Sequence, residues 1–180
     1  MVHYKLIYFD VRGRAELIRQ VFKLAGVEFE DNRVTREEWA EIKNKTPFGK
    51  CPVLEVDSKQ IPESFAIARY VARQVGLAGK TPFDSAWVDA FADQLKDYQS
   101  ENSPFWMVML GYKEGDKAAA EKEHGIPARD KFYSIIEKRL AESKSGFLVG
   151  DSATWADIAI ADQSWKMVDK LPGWLDKYPK

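Results

Sequence analysis

One change of rhythm, near residue 80, limits what this chain can fold into more than any other feature. Ahead of it strand-type and helix-type patterns alternate; beyond it only helix-type patterns remain. Residues 4–9 alternate, with Tyr4, Leu6 and Tyr8 on one face and Lys5, Ile7 and Phe9 on the other. After residues 10–13 comes a helical stripe of Leu17, Ile18, Val21, Phe22, Leu24 and Ala25, stopped by Gly26. Residues 28–33 read as a second strand. Thr35 followed by Glu38 is a capping-box pattern opening a short helix that carries Trp39 and Ile42. Residues 53–56 read as a third strand, and residues 57–59 as a turn into a short fourth. From about Ser64 a helix with Ile67, Ala68, Tyr70 and Val71 inward runs to Gly76. The order β-α-β-α-β-β-α suits a small mixed sheet with helices on its faces.

Past residues 77–82 the strand signals stop. Asp84 is placed to cap a long helix with Trp87, Val88, Phe91, Leu95 and Tyr98 at helical spacing. Residues 114–125 are polar and fit helix or loop. Residues 128–143 carry Phe132, Ile135, Ile136 and Leu140 as a further amphipathic helix, and Thr154 with Asp157 opens an apolar helix over residues 155–168. The expected division is an α/β domain at 1–77, a linker at 78–82 and an all-helical domain at 83–180.

Charge and composition exclude several functions. Lys and Arg number 27 against 28 Asp and Glu, so nucleic acid is not the expected partner, since duplex binding needs a basic excess. No apolar run approaches the length of a membrane span, and the first residues move straight into a strand pattern without a leader, so a cytoplasmic protein is expected. The single cysteine, Cys51, permits no disulfide within the chain, and two distant histidines, His3 and His124, make a poor metal set.

An α/β unit of this order, with Pro52 opening its third strand, points to a thioredoxin-like architecture. Thiol–disulfide chemistry there needs a thiolate in the loop after strand one, at a helix N-terminus. Residues 10–14 hold no cysteine, so redox catalysis of that kind is not expected. What the loop has instead is a phenol at the strand end before it, Tyr8, and its own guanidinium at the helix start, Arg14, which can stabilise a thiolate carried in by a ligand. Taken singly, each residue also has a plain reading. Tyr8 fits a core aromatic, Arg14 a solvated charge, Cys51 a small buried hydrophobe with a reactive thiol as the minority reading, and Glu63 with Ser64 a helix start. That helix start is also a ready site for a carboxylate.

Residues 4–16, 47–57, 63–70 and 148–157 together closely resemble the sigma class of cytosolic glutathione transferases, which includes the haematopoietic-type prostaglandin D synthase and invertebrate sigma-like members. The resemblance covers nearly the whole chain. It implies a thioredoxin-like glutathione domain, a helical domain and a homodimer. By position it makes Tyr8 the hydroxyl that hydrogen-bonds the glutathione sulfur, with Phe9 and Arg14 beside it. Trp39 and Lys43, with help from Lys50, would hold the glycine carboxylate. The backbone of Cys51, ahead of a cis Pro52, would pair with the cysteinyl part. Glu63 and Ser64 would take the γ-glutamyl end, with Asp97 of the partner subunit reaching its ammonium group. Three positions depart from the pattern. Residue 63 is Glu where sigma relatives usually have Gln, residue 51 is Cys where a branched aliphatic is common, and the chain stops at Lys180 where the family continues for one or two helices.

The implied activity is conjugation of the glutathione thiolate to small hydrophobic electrophiles, with Val11, Phe105 and Trp106 among the residues walling the acceptor, and with no metal required. Core packing is the alternative for Phe105 and Trp106. Two other functions stay open: a glutathione-dependent prostaglandin D isomerase, and a non-catalytic binder of haem or hydrophobic ligands. Asp89, Asp93 and Asp97 place three carboxylates on one helix face. Solvation, a partner's glutathione and a divalent cation are the three readings of that face.

Overall fold

In the computed structural model, residues 2–179 are described; Met1 and Lys180, on which the readings of the chain's two ends bear, lie outside them. The chain forms two compact units, residues 1–80 and 81–180.

The first unit runs β1 (Tyr4–Phe9), a 3₁₀ turn (Gly13–Ala15), α1 (Glu16–Leu24), β2 (Glu30–Val34), α2 (Arg36–Ile42), a 3₁₀ turn (Lys43–Lys45), β3 (Val53–Val56), β4 (Lys59–Pro62) and α3 (Ser64–Gln74). The sheet order is β2-β1-β3-β4. β1 and β2 are parallel, with Leu6 opposite Asp31 and Tyr8 opposite Arg33. A parallel pair needs a crossover, and α1 supplies it. β1 with β3, and β3 with β4, are antiparallel. This is the thioredoxin-like unit the alternating pattern predicts. Leu6, Ile18, Val21, Phe22, Val53, Leu54, Ile67 and Val71 are all fully buried. Each such aliphatic or aromatic side chain contributes about 1.5–3 kcal/mol by leaving water. The second strand starts two residues later than the periodicity suggests, at Glu30. Its short run of Glu, Asp, Asn and Arg is held by pairing to β1 rather than by propensity.

The second unit holds α4 (Pro82–Met109), α5 (Lys117–Ala120), α6 (Ile126–Glu142) and α7 (Trp155–Lys170). The cap of α4 is Thr81, not Asp84: the Thr81 hydroxyl accepts the Asp84 N–H while Asp84 accepts the Thr81 N–H, with Pro82 at the first helical position. The polar stretch over residues 114–125 is largely helical, α5 passing through a π turn (Glu121–Gly125) into α6. Gly125 is where that turn meets the core, since a Cβ there would stand 2.7 Å from the Phe105 ring and 3.1 Å from Trp174.

Candidate active site

The site is built at the ends of β1 and β3 and at the start of α3. β1 carries Tyr8 to its last turn of pleat, and the chain then folds back over that ring. Gly13, at φ +47°, lies so close that a Cβ on it would stand 2.6 Å from the Tyr8 hydroxyl oxygen and 2.8 Å from the ring. Glycine is required there on both counts. The next residue, Arg14, donates its backbone N–H to the Tyr8 Oη at 3.2 Å. The phenol therefore accepts from the main chain while keeping its own proton for another acceptor.

Beside it opens a cleft lined by Arg14, Lys50, Cys51, Pro52, Pro62, Glu63 and Ser64. The Cys51–Pro52 peptide is cis, and Pro52 is buried where β3 begins. Glu63 is exposed and sits at φ +70°, ψ 115°, a conformation few non-glycine residues adopt, at the N-cap of α3. Its side chain makes no capping bond to the helix. Ser64 opens that helix, so a hydroxyl and the positive end of the helix dipole face the cleft wall together. Two cationic side chains and one helix start line a cleft that suits carboxylates, and Glu63 suits an ammonium group. Burial pushes the Cys51 thiol above its ordinary value, opposed by its own backbone and by Arg14. Such a thiol stays protonated at neutral pH and is a poor nucleophile.

The remaining sequence-derived residues divide. The Phe9 ring lies 5.7 Å from Tyr8 and 6.1 Å from Trp39, making an aromatic row from β1 to α2. Lys43 follows on α2, its N–H bonded to the Trp39 carbonyl and its side chain exposed outside the cleft lining. Val11 is 55% exposed in the loop after β1. In the second unit Phe105 is 1% exposed, with its ring stacked 5.4 Å from Trp174, and Trp106 packs against the same cluster. Of the two readings of Phe105 left open by the sequence, that position fits core packing. Asp93 and Asp97 are exposed on α4 and Asp89 is half-buried. Among the described residues no three His, Cys, Asp or Glu side chains group to hold a metal ion.

Three residues with a bearing on this site are not found by motif reading: Gly13, Arg19 and Asp31. Arg19 had a signal, because it falls inside the apolar stripe of α1 between Ala15 and Phe22, and it is 6% exposed. A charge in such a stripe calls for partners. Those partners are Asp31 and two loop carbonyls, which no linear pattern reveals.

Comparison with known proteins gives family matches in both units of the chain. Residues 4–73 match the model of the glutathione S-transferase N-terminal domain and residues 101–180 that of the C-terminal domain. A probable glutathione S-transferase 9 of Caenorhabditis elegans is 51% identical over 99% of this chain and 86% of its own length. Glutathione S-transferase 1 of Ascaris suum is 51% identical over 97% of this chain and 87% of its own. Among solved structures, a glutathione S-transferase of the hookworm Necator americanus, described as monomeric, superposes with a TM-score of 0.94 at 51% identity, over 98% of this chain and 86% of that one. A Nu-class enzyme of Haemonchus contortus gives 0.92 at 51% identity, over 99% and 87%. A prostaglandin synthase D of Nilaparvata lugens gives 0.81 at 32% identity, over 98% and 86%.

Proposed function

The chain belongs to the glutathione S-transferase family and is a glutathione transferase with glutathione as co-substrate, and on that premise we propose that it joins the glutathione thiolate to small hydrophobic electrophiles through Tyr8. The observation that carries this is the Tyr8 Oη accepting the Arg14 N–H beneath Gly13, which leaves the phenolic proton for the sulfur. Free cysteine thiols titrate near pH 8.5, so only a few per cent is thiolate at pH 7. Lowering that value by about two units takes about 2.7 kcal/mol of preferential thiolate stabilisation. A hydroxyl donating to an ionised sulfur, with a helix N-terminus nearby, supplies energy of that order. The thiolate then attacks the electrophilic carbon; for an aryl halide the C–S bond forms and halide leaves. The remaining rate comes from holding the acceptor close, a task assigned here to Val11 and Arg14.

In the same reading Glu63 and Ser64 bind the γ-glutamyl end, the Cys51 backbone pairs with the cysteinyl part, and Lys50, Lys43 and Trp39 take the glycine carboxylate. Asp97 of a second copy reaches the ammonium group in a homodimer. The class proposed is sigma-type, from the four motifs around Tyr8, Pro52, Ser64 and Asp157. The likeness to a prostaglandin synthase D favours glutathione-dependent isomerisation of a prostaglandin endoperoxide as the second reading. The retained phenol and cleft charges argue against a purely non-catalytic binder. No helix of the described residues is long and apolar enough to cross a membrane, and a cytoplasmic location is proposed.

Tyr8→Phe tests the central role. Glutathione affinity should stay within a few-fold while turnover of a chromogenic aryl halide falls at least about tenfold, roughly 1.4 kcal/mol in the barrier. Unchanged turnover, with chemistry limiting the rate, removes Tyr8 from the reaction. Prostaglandin turnover measured beside it separates conjugation from isomerisation.

A further inference from the structure

The loop that covers Tyr8 is held from below by one buried cation. Arg19 reaches back from α1, and its Nη1 donates to the carbonyls of Val11 at 2.9 Å and Arg12 at 3.3 Å, and to Glu16 at 3.3 Å. Its Nε donates to both oxygens of Asp31 on β2, at 3.0 and 3.1 Å. The guanidinium carbon stands 6.0 Å from the centre of the Tyr8 ring. Asp31 in turn accepts from Arg33 Nε at 2.9 Å, and Arg33 Nη1 donates to Asp10, the first loop residue. The loop is thus pinned at Asp10 by Arg33 on the outside and at Val11 and Arg12 by Arg19 on the inside.

Peptide geometry carries that hold to the phenol. Fixing the carbonyls of Val11 and Arg12 fixes the planes of the peptides that follow them. One residue further on, Gly13 lies on the Tyr8 ring and the Arg14 N–H points at its oxygen. We infer that Arg19, seated on Asp31, is the positioning residue that aims the Tyr8 hydroxyl at the glutathione sulfur. A buried guanidinium fits the task because it is always charged and its planar fork serves a carboxylate and two carbonyls together. Such a residue costs desolvation and is weak evidence of a stabilising role alone. Here two of its donor contacts go to the one loop that bonds the phenol. The inference rests on the reading of Tyr8 as donor to sulfur.

The test measures the titration of enzyme-bound glutathione by thiolate absorbance, with kcat and KM against pH, in Arg19→Met, Arg19→Lys, Asp31→Asn and Tyr8→Phe. In Arg19→Met the phenol loses its aim, the thiolate is less favoured, and the bound thiol should titrate about one unit higher. Turnover at pH 6.5 should fall about tenfold with KM for glutathione within about threefold, the missing activity returning as pH rises. Arg19→Lys should recover part of the displacement, since an ammonium cannot span Asp31 and both carbonyls. Asp31→Asn should shift the same way by less. A merely structural Arg19 would lower the folded fraction and leave the pH profile in place, and that result overturns the inference. If Arg19→Met does not fold, the Asp31→Asn profile decides: displaced upward it supports the role, unmoved it overturns it. A displaced profile in Tyr8→Phe with none in the Arg19 and Asp31 variants removes Arg19 alone. An unmoved profile in Tyr8→Phe removes the reading of Tyr8 and this inference with it.

Discussion

Two helix starts in this molecule use similar residue types for opposite ends. At α7 the acidic residue closes the terminus on itself. Asp157 accepts the Thr154 N–H at 2.8 Å, the Thr154 hydroxyl at 2.7 Å and the Leu148 N–H at 2.9 Å, with Thr154 and Leu148 buried. At α3 the acidic residue stands outside the terminus. Glu63 is exposed at positive φ, makes no side-chain cap and lines a cleft with Ser64, Arg14 and Lys50. A closed cap spends its hydrogen bonds within the fold. An open one holds a residue in an unfavourable backbone region, at a cost of about 1–3 kcal/mol, beside a space a ligand can fill. Strain and exposure mark the terminus proposed to bind glutathione; satisfaction and burial mark the structural one.

That contrast can be broken most visibly at α7. Asp157→Ala removes a carboxylate that gathers three donors and should cost about 2–3 kcal/mol in chemical denaturation. Activity per folded molecule should hold. A large loss of glutathione affinity in the folded fraction would mean that the closed cap serves the site as well.

Ser64→Ala sharpens the other half. Glutathione affinity should fall about tenfold by calorimetry, the worth of one hydrogen bond to a charged group. Stability should change by no more than about 0.5 kcal/mol, the usual range of a surface substitution. A loss of stability as large as that in Asp157→Ala, with affinity intact, would make α3 a second structural cap.

The smallest effect is the most specific. Glu63→Gly relieves the positive φ, so stability should rise by about 0.5–1 kcal/mol even though glycine loosens the unfolded chain. Affinity should fall a few-fold at the same time. A variant that loses both stability and affinity would show that the Glu63 backbone is not strained.

The sequence made the α/β unit legible because the alternation at residues 4–9 and the stripe of α1 are both dictated by burial on one side. Tyr8, Pro52 and Ser64, proposed for the site, were singled out through short motifs whose residues sit close together in the chain. Thr81 and Asp84 were harder to separate, because each member of a capping box bonds the other's N–H and either type can open a helix. Phe105 carries the same apolar signal whether it lines a pocket or packs a core. Its contact with Gly125, Met167 and Trp174 is set by three distant segments. The partners of Arg19 were hidden for a related reason: its acceptors on the loop are main-chain carbonyls, which every residue type presents alike.

Cys51 gives the molecule a property of a different kind. It is the chain's one thiol, half-buried in the wall of the cleft. A thiol-selective reagent, applied at alkaline pH where the raised thiol ionises, therefore has one address, and a ligand that fills the cleft screens it. The rate of labelling is a readout of occupancy that needs no engineered probe, no chromogenic acceptor and no turnover, so ligands can be ranked by protection alone.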